Sequence, residues 1–204
     1  MSTATDVAVL EPRSFERDPG ISSGRVGMVL FLFAETMVFA GLVSAFVVLQ
    51  GRTPVWPPPG QPRLPVAATG VNTLFLLASG WAMLRAIAAS RQPGAATATW
   101  LAATAGLGLA FLLGQGIEWA RLLGYGLTTR SGVYGATFYA VVGIHAAHVV
   151  AALVALAFVW RRAARGLVTG AGRESVVVCG LFWLFVMGVW PILYVLLYQP
   201  WGGR

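Results

Sequence analysis

The sequence predicts an all-α integral membrane protein: a single bundle of five transmembrane helices. Three observations carry this. Of 204 residues, 57% are apolar and only 10% charged. The apolar residues fall in five long blocks, each at or above the roughly 20 residues needed to cross a bilayer. The basic residues gather at the ends of those blocks. Backbone groups find no water in the hydrocarbon core, so unbroken apolar runs of this length read as helices.

The spans are expected at approximately 26–49, 66–89, 99–122, 137–160 and 176–198. The first ends near Gln50 and runs into a Pro-rich stretch, GRTPVWPPPGQPRLP, with six of the eleven prolines and Trp56. Such a run is stiff and extended, and a Trp there suits the membrane interface. The second span opens near Pro65 and ends at the basic turn Arg85–Arg91. In the third, Ala102, Gly106, Ala110 and Gly114 recur every four residues, a spacing that lets another helix approach closely. The fourth repeats this more weakly in Ala147, Ala151 and Ala155, and tight helix packing is expected at both stripes. Pro191 is expected to kink the fifth by removing one backbone hydrogen bond. No inverted repeat of the transporter kind is visible. The chain thus divides into an N-terminal tail, 1–24, and one five-helix domain, 25–204.

The net charge of +7 invites a nucleic-acid reading, but its distribution argues for topology instead. All fourteen basic residues are Arg. Arg13, Arg17, Arg25, Arg85, Arg91, Arg161, Arg162, Arg165 and Arg173 fall on one side; Arg52, Arg63, Arg121, Arg130 and Arg204 fall on the other. The positive-inside rule places the N-terminus inside and the C-terminus outside. Residues 1–24 have no apolar core of the signal-peptide kind, so the first span is expected to serve as its own uncleaved signal. The lone Cys179 can form neither an intramolecular disulfide nor a cysteine metal site.

Four ionisable side chains lie inside the spans: Glu35, Glu118, His145 and His148. A carboxylate near the bilayer centre costs several kcal/mol unless it is protonated, paired or facing protein or water. Glu35 therefore reads either as a group that exchanges protons or touches lipid headgroups, or as a protonated carboxyl bonded to a neighbouring helix bearing Thr or Asn. Glu118 lies three residues before Arg121 on the same face, which favours a local pair with the arginine snorkelling outward. His145 and His148 also share a face and are spaced to hold one metal. No Cys, third His or nearby carboxylate in that helix completes a set, which favours neutral imidazoles bonding across helices. Counted from the outer surface, His148 and Glu35 fall near the midplane and His145 nearer Glu118. There is no Walker loop, dinucleotide fingerprint or nucleophile–base set.

Five stretches, in order, resemble subunit III of the haem-copper terminal oxidases, the cytochrome c and quinol oxidases. They are GMVLFLFAETMVFAG (27–41), WPPPG (56–60) followed by NTLFLLAS (72–79), QGIEW (115–119), YGATFYAVVGIHAAHVV (134–150), and the last helix ending in WGG (201–203). The family has a seven-helix mitochondrial form and a five-helix form in many bacteria, and this chain resembles the short one. It departs at FWLFVMGVW (182–190), where Leu184 and Met187 stand in place of the His and Asp usual in the family's Trp-His-Phe-Val-Asp run. That marks a divergent member.

The resemblance implies a non-redox accessory subunit of an oxygen-reducing, proton-pumping respiratory oxidase. It implies no catalytic residue, cofactor or metal in this chain; haem and copper would belong to partner subunits I and II. It also implies bound phospholipid in a cleft between helix groups, support of proton uptake, and residence in the bacterial cytoplasmic (inner) membrane. Glu35, His145, His148 and Glu118 take a structural and lipid-cleft role by this resemblance. The alternatives are an accessory subunit of a nitric-oxide reductase and an independent small transporter or proton channel, for which intramembrane Glu and His would also suffice.

Overall fold

The computed structural model describes residues 22–92 and 96–198; the expected tail up to residue 21 and the WGG motif at 201–203 lie outside them. Five helices follow in order: α1 (Ser23–Gly51), α2 (Val66–Ala89), α3 (Ala96–Gly124), α4 (Val133–Ala164) and α5 (Ala171–Tyr198). All five are long and apolar enough to cross a membrane. Four of them exceed the spans expected from hydropathy, because helical hydrogen bonding continues into the interface beyond the apolar block. α1 begins at Ser23, where Ser22 caps it by accepting from Arg25 N. α5 remains helical through Pro191.

Local chemistry sets the helix ends. α3 and α4 each finish with a glycine at positive φ, Gly126 (87°) and Gly166 (73°). Behind each, the next amide reaches back into the last turn: Leu127 N to Leu122 O and Leu167 N to Arg162 O, both 3.0 Å. This is the Schellman closure, in which a left-handed residue satisfies carbonyls that the helix leaves open.

α2 packs most extensively on α3, and α4 on α5; α2–α5 and α3–α4 contacts close these four helices into a ring. α1 lies outside the ring against α5 and, over a shorter stretch, α4, and does not touch α2. Only Phe39 and Phe46 of α1 are buried. The Pro-rich segment therefore has to carry the chain across the outer end of the bundle, which its extended composition suits. Trp56 pins it there between Phe46 (ring centroids 5.5 Å apart) and Tyr134 (5.1 Å).

The ring's seams are set by size complementarity. At the α2–α5 seam, Met187 fills the space left by the missing side chain of Gly80. Gly108 of α3 receives the indole of Trp183 in the same way. The small-residue stripe of α3 mediates packing only at its last member: Gly114 admits the Asn72 side chain of α2, whereas Ala102, Gly106 and Ala110 face outward, and a Cβ at Gly106 would meet nothing. The buried face of α3 is Leu101, Thr104, Gly108, Phe111 and Gln115. In α4, Ala147 and Ala151 likewise point out and only Ala155 packs, partly buried, against the core, while His145, Val149, Ala152 and Leu156 point in. Four-residue periodicity identifies a face but not which way it looks.

Candidate functional site

Glu35 comes from the middle of α1, 16 residues before Gly51; His148 lies 15 residues after Val133, the outer start of α4. At 1.5 Å per residue these depths match, and the side chains meet. Glu35 Oε2 is 2.9 Å from His148 Nε2, with both side chains about four-fifths buried. The depth count that puts His148 and Glu35 near one level is borne out, and the neighbouring-helix partner is this histidine rather than a Thr or Asn.

The other ring nitrogen fixes the proton count. His148 Nδ1 lies 2.8 Å from the carbonyl of Ile144, one turn back. A carbonyl only accepts, so Nδ1 carries the proton. The Nε2···Oε2 contact then needs one more proton, held either by the carboxyl or by the imidazole. Both arrangements are neutral overall, which resolves the cost of an acid at this depth. The dyad can move a proton over 2.9 Å without changing its net charge.

His145 behaves differently. It is fully buried, and neither ring nitrogen has a hydrogen-bond partner. It stacks on Trp190 (centroids 5.0 Å, 29° between planes), and Phe39 stands edge-on to both histidines. The expected bond across helices is therefore made by His148 and not by His145. The two imidazoles go to different surroundings, and among the described residues no three His, Cys, Asp or Glu side chains gather as metal ligands would. Glu118 pairs with Arg121 (2.7 Å), whose side chain is well exposed, the local arrangement favoured from sequence.

A second polar cluster was not singled out from sequence. Asn72 donates to Phe111 O (2.9 Å) and approaches Gln115 Oε1 (3.4 Å), and Gln115 donates to the Tyr198 hydroxyl (3.0 Å). Trp190 Nε1 donates to Thr73 Oγ1 (2.9 Å), Trp183 Nε1 to Ser79 Oγ (3.2 Å), and Tyr194 OH to Val66 O (3.0 Å). These bonds tie α5 to α2 and α3 along much of their length. A signal existed: Thr69, Asn72, Thr73 and Ser79 recur at helical spacing on one face of α2, and all are buried. α5 is bonded to α2 through aromatic N–H and O–H groups of Trp183, Trp190 and Tyr194.

Motifs far apart in sequence also meet at the outer end. The 56–60 segment, Tyr134 and Tyr198 line a cleft of about 720 Å³, and Gln61 reaches Ser131 O (3.4 Å). The family model of cytochrome c oxidase subunit III matches residues 16–203, nearly the whole chain. The chain belongs to the cytochrome c oxidase subunit III family. Cytochrome c oxidase subunit 3 of Synechocystis sp. is 36% identical over 174 residues, covering 84% of this chain and 73% of the relative. The subunit 3 of Thermostichus vulcanus is 33% identical, covering 85% of each chain. A probable cytochrome c oxidase subunit 3 of Mycobacterium leprae is also 33% identical, covering 85% of this chain and 86% of its own. As a subunit III family member with five spanning helices, the chain is a multi-pass membrane protein and an oxidase accessory subunit.

Proposed function

We propose that this subunit III family member binds beside oxidase subunits I and II in the bacterial inner membrane, where haem and copper of the partners reduce oxygen. The chain itself supplies a rigid four-helix ring with α1 as a flank. Its Glu35–His148 dyad lies in the thinly packed α1–α4 seam, and supports proton uptake by holding one exchangeable proton at mid-membrane depth. Phospholipid fills the cleft between helix groups and maintains that environment. The observation that carries the reading is the subunit III match along residues 16–203; the neutral one-proton dyad supplies the chemistry.

Purification from native membranes in mild detergent is the direct test. The expected product is a haem-containing assembly that reduces oxygen; recovery with no haem protein would sink the proposal. Glu35→Gln should assemble normally but lose lipid or inactivate faster during turnover. If both properties stay unchanged, the dyad only joins α1 to α4.

A further inference from the structure

We propose that Arg85, held by Trp81 and Trp100, forms a binding site for the phosphodiester headgroup of a phospholipid at the basic end of the α2–α3 pair. The Arg85 guanidinium carbon lies 5.6 Å from the centroid of the Trp81 ring and 5.3 Å from that of Trp100. The two indoles meet edge to face at 5.2 Å, 89° apart, and form a corner for the cation. Cation–π attraction of this kind fixes the guanidinium in place without consuming its N–H donors. A flexible surface arginine becomes an oriented one.

Among the described residues no carboxylate pairs with these donors. The described residues contain three carboxylates, and each is engaged elsewhere: Glu35 with His148, Glu118 with Arg121 and Glu174 with Arg25. Arg85 is exposed, four residues from the end of α2, and Trp100 is four residues into α3. Both therefore sit about 6 Å inside the helix ends, the depth of a headgroup rather than of acyl chains. Deeper on the same face of α2, Leu84, Trp81, Leu77 and Leu74 are exposed at three- and four-residue spacing. An oriented cation above an apolar stripe matches an amphiphile with an anionic head and a hydrocarbon tail. An arginine presents paired donors to phosphate oxygens in the bidentate manner. The site is remote from the dyad and rests only on the chain spanning a membrane, so its failure leaves the proposed function untouched.

The test uses the protein with its native partners, purified in mild detergent, depleted of lipid and titrated with dioleoylphosphatidylglycerol under native mass spectrometry. Wild type should take up one more phospholipid than Arg85→Gln, with an apparent affinity roughly tenfold higher, as expected for loss of a charge-assisted bidentate contact. Trp100→Leu, which keeps the charge but removes half the corner, should fall between. Equal uptake by wild type and Arg85→Gln overturns the proposal. So does equal binding of dioleoylglycerol, which has the same chains and no phosphate, because the apolar stripe would then suffice. Displacement of the lipid by inorganic phosphate also overturns it, as it would identify a small-anion site instead.

Discussion

Glu35 and His148 share one proton across a 2.9 Å contact between α1 and α4, because the other nitrogen of the ring is committed to Ile144 O. α1 touches the rest of the bundle through only two helices, so this contact is a large part of what registers α1 against α4. Replacing either partner tests both its energy and its selectivity.

Glu35→Gln keeps a donor for His148 Nε2 and should shift the thermal unfolding midpoint little. Glu35→Leu leaves that nitrogen partly buried and unpaired, at a cost of about 1–3 kcal/mol. Thermal unfolding of the purified protein in detergent distinguishes the two. Equal losses for Gln and Leu would show that an amide of the same shape cannot stand in for the carboxyl, contrary to this expectation.

Gly106 and Gly108 are two residues apart and should respond oppositely to alanine. A Cβ at Gly108 would overlap the Trp183 indole, which its bond to Ser79 holds in place. Overpacking of this kind costs about 1–3 kcal/mol. At Gly106 the Cβ meets nothing, and Gly106→Ala should stabilise the helix by up to about 1 kcal/mol. Unfolding midpoints of the two variants check this; a destabilised Gly106→Ala would reinstate the outward stripe as a packing face.

Trp190→Phe and Thr73→Val each remove one end of the 2.9 Å indole–hydroxyl bond. Hydrogen bonds between membrane helices contribute about 0.6 kcal/mol on average and up to about 1.7. The double variant should therefore lose less than the sum of the singles, as read by a double-mutant cycle on unfolding free energy. Strict additivity would mean that the bond contributes nothing.

Arg25 and Glu174 join the first turns of α1 and α5, with the guanidinium donating to both carboxylate oxygens at 2.8–3.1 Å. Ser22 Oγ donates to the same carboxylate. The pair is partly exposed, so Glu174→Gln should change global stability by no more than about 1 kcal/mol. Its effect should be local, seen as faster limited proteolysis at the start of α1. Unchanged cleavage there would mean that packing alone holds that end.

How much of this was legible in advance depends on the kind of signal. The five helices were readable because each must satisfy its own backbone within the bilayer, so hydropathy alone reports them. Glu118 with Arg121 was readable because three residues on one helix fix the geometry. Glu35 was visible as an energetic anomaly, but its partner lies 113 positions away, and matching depth could suggest His148 without excluding His145 or a Thr or Asn. The Thr69–Asn72–Thr73–Ser79 face of α2 was present in the sequence but passed unremarked, since small polar residues in a span carry no charge to flag them.

Composition and hydropathy determined that this is a five-span membrane protein, and the ordered motifs determined its family, because both depend on properties each segment carries by itself. Tertiary structure decided which face of each helix looks inward, which histidine takes the Glu35 proton and which glycines admit a neighbour. Those outcomes depend on rotations and neighbours. A helix with apolar residues all round, as lipid demands, does not state its own orientation.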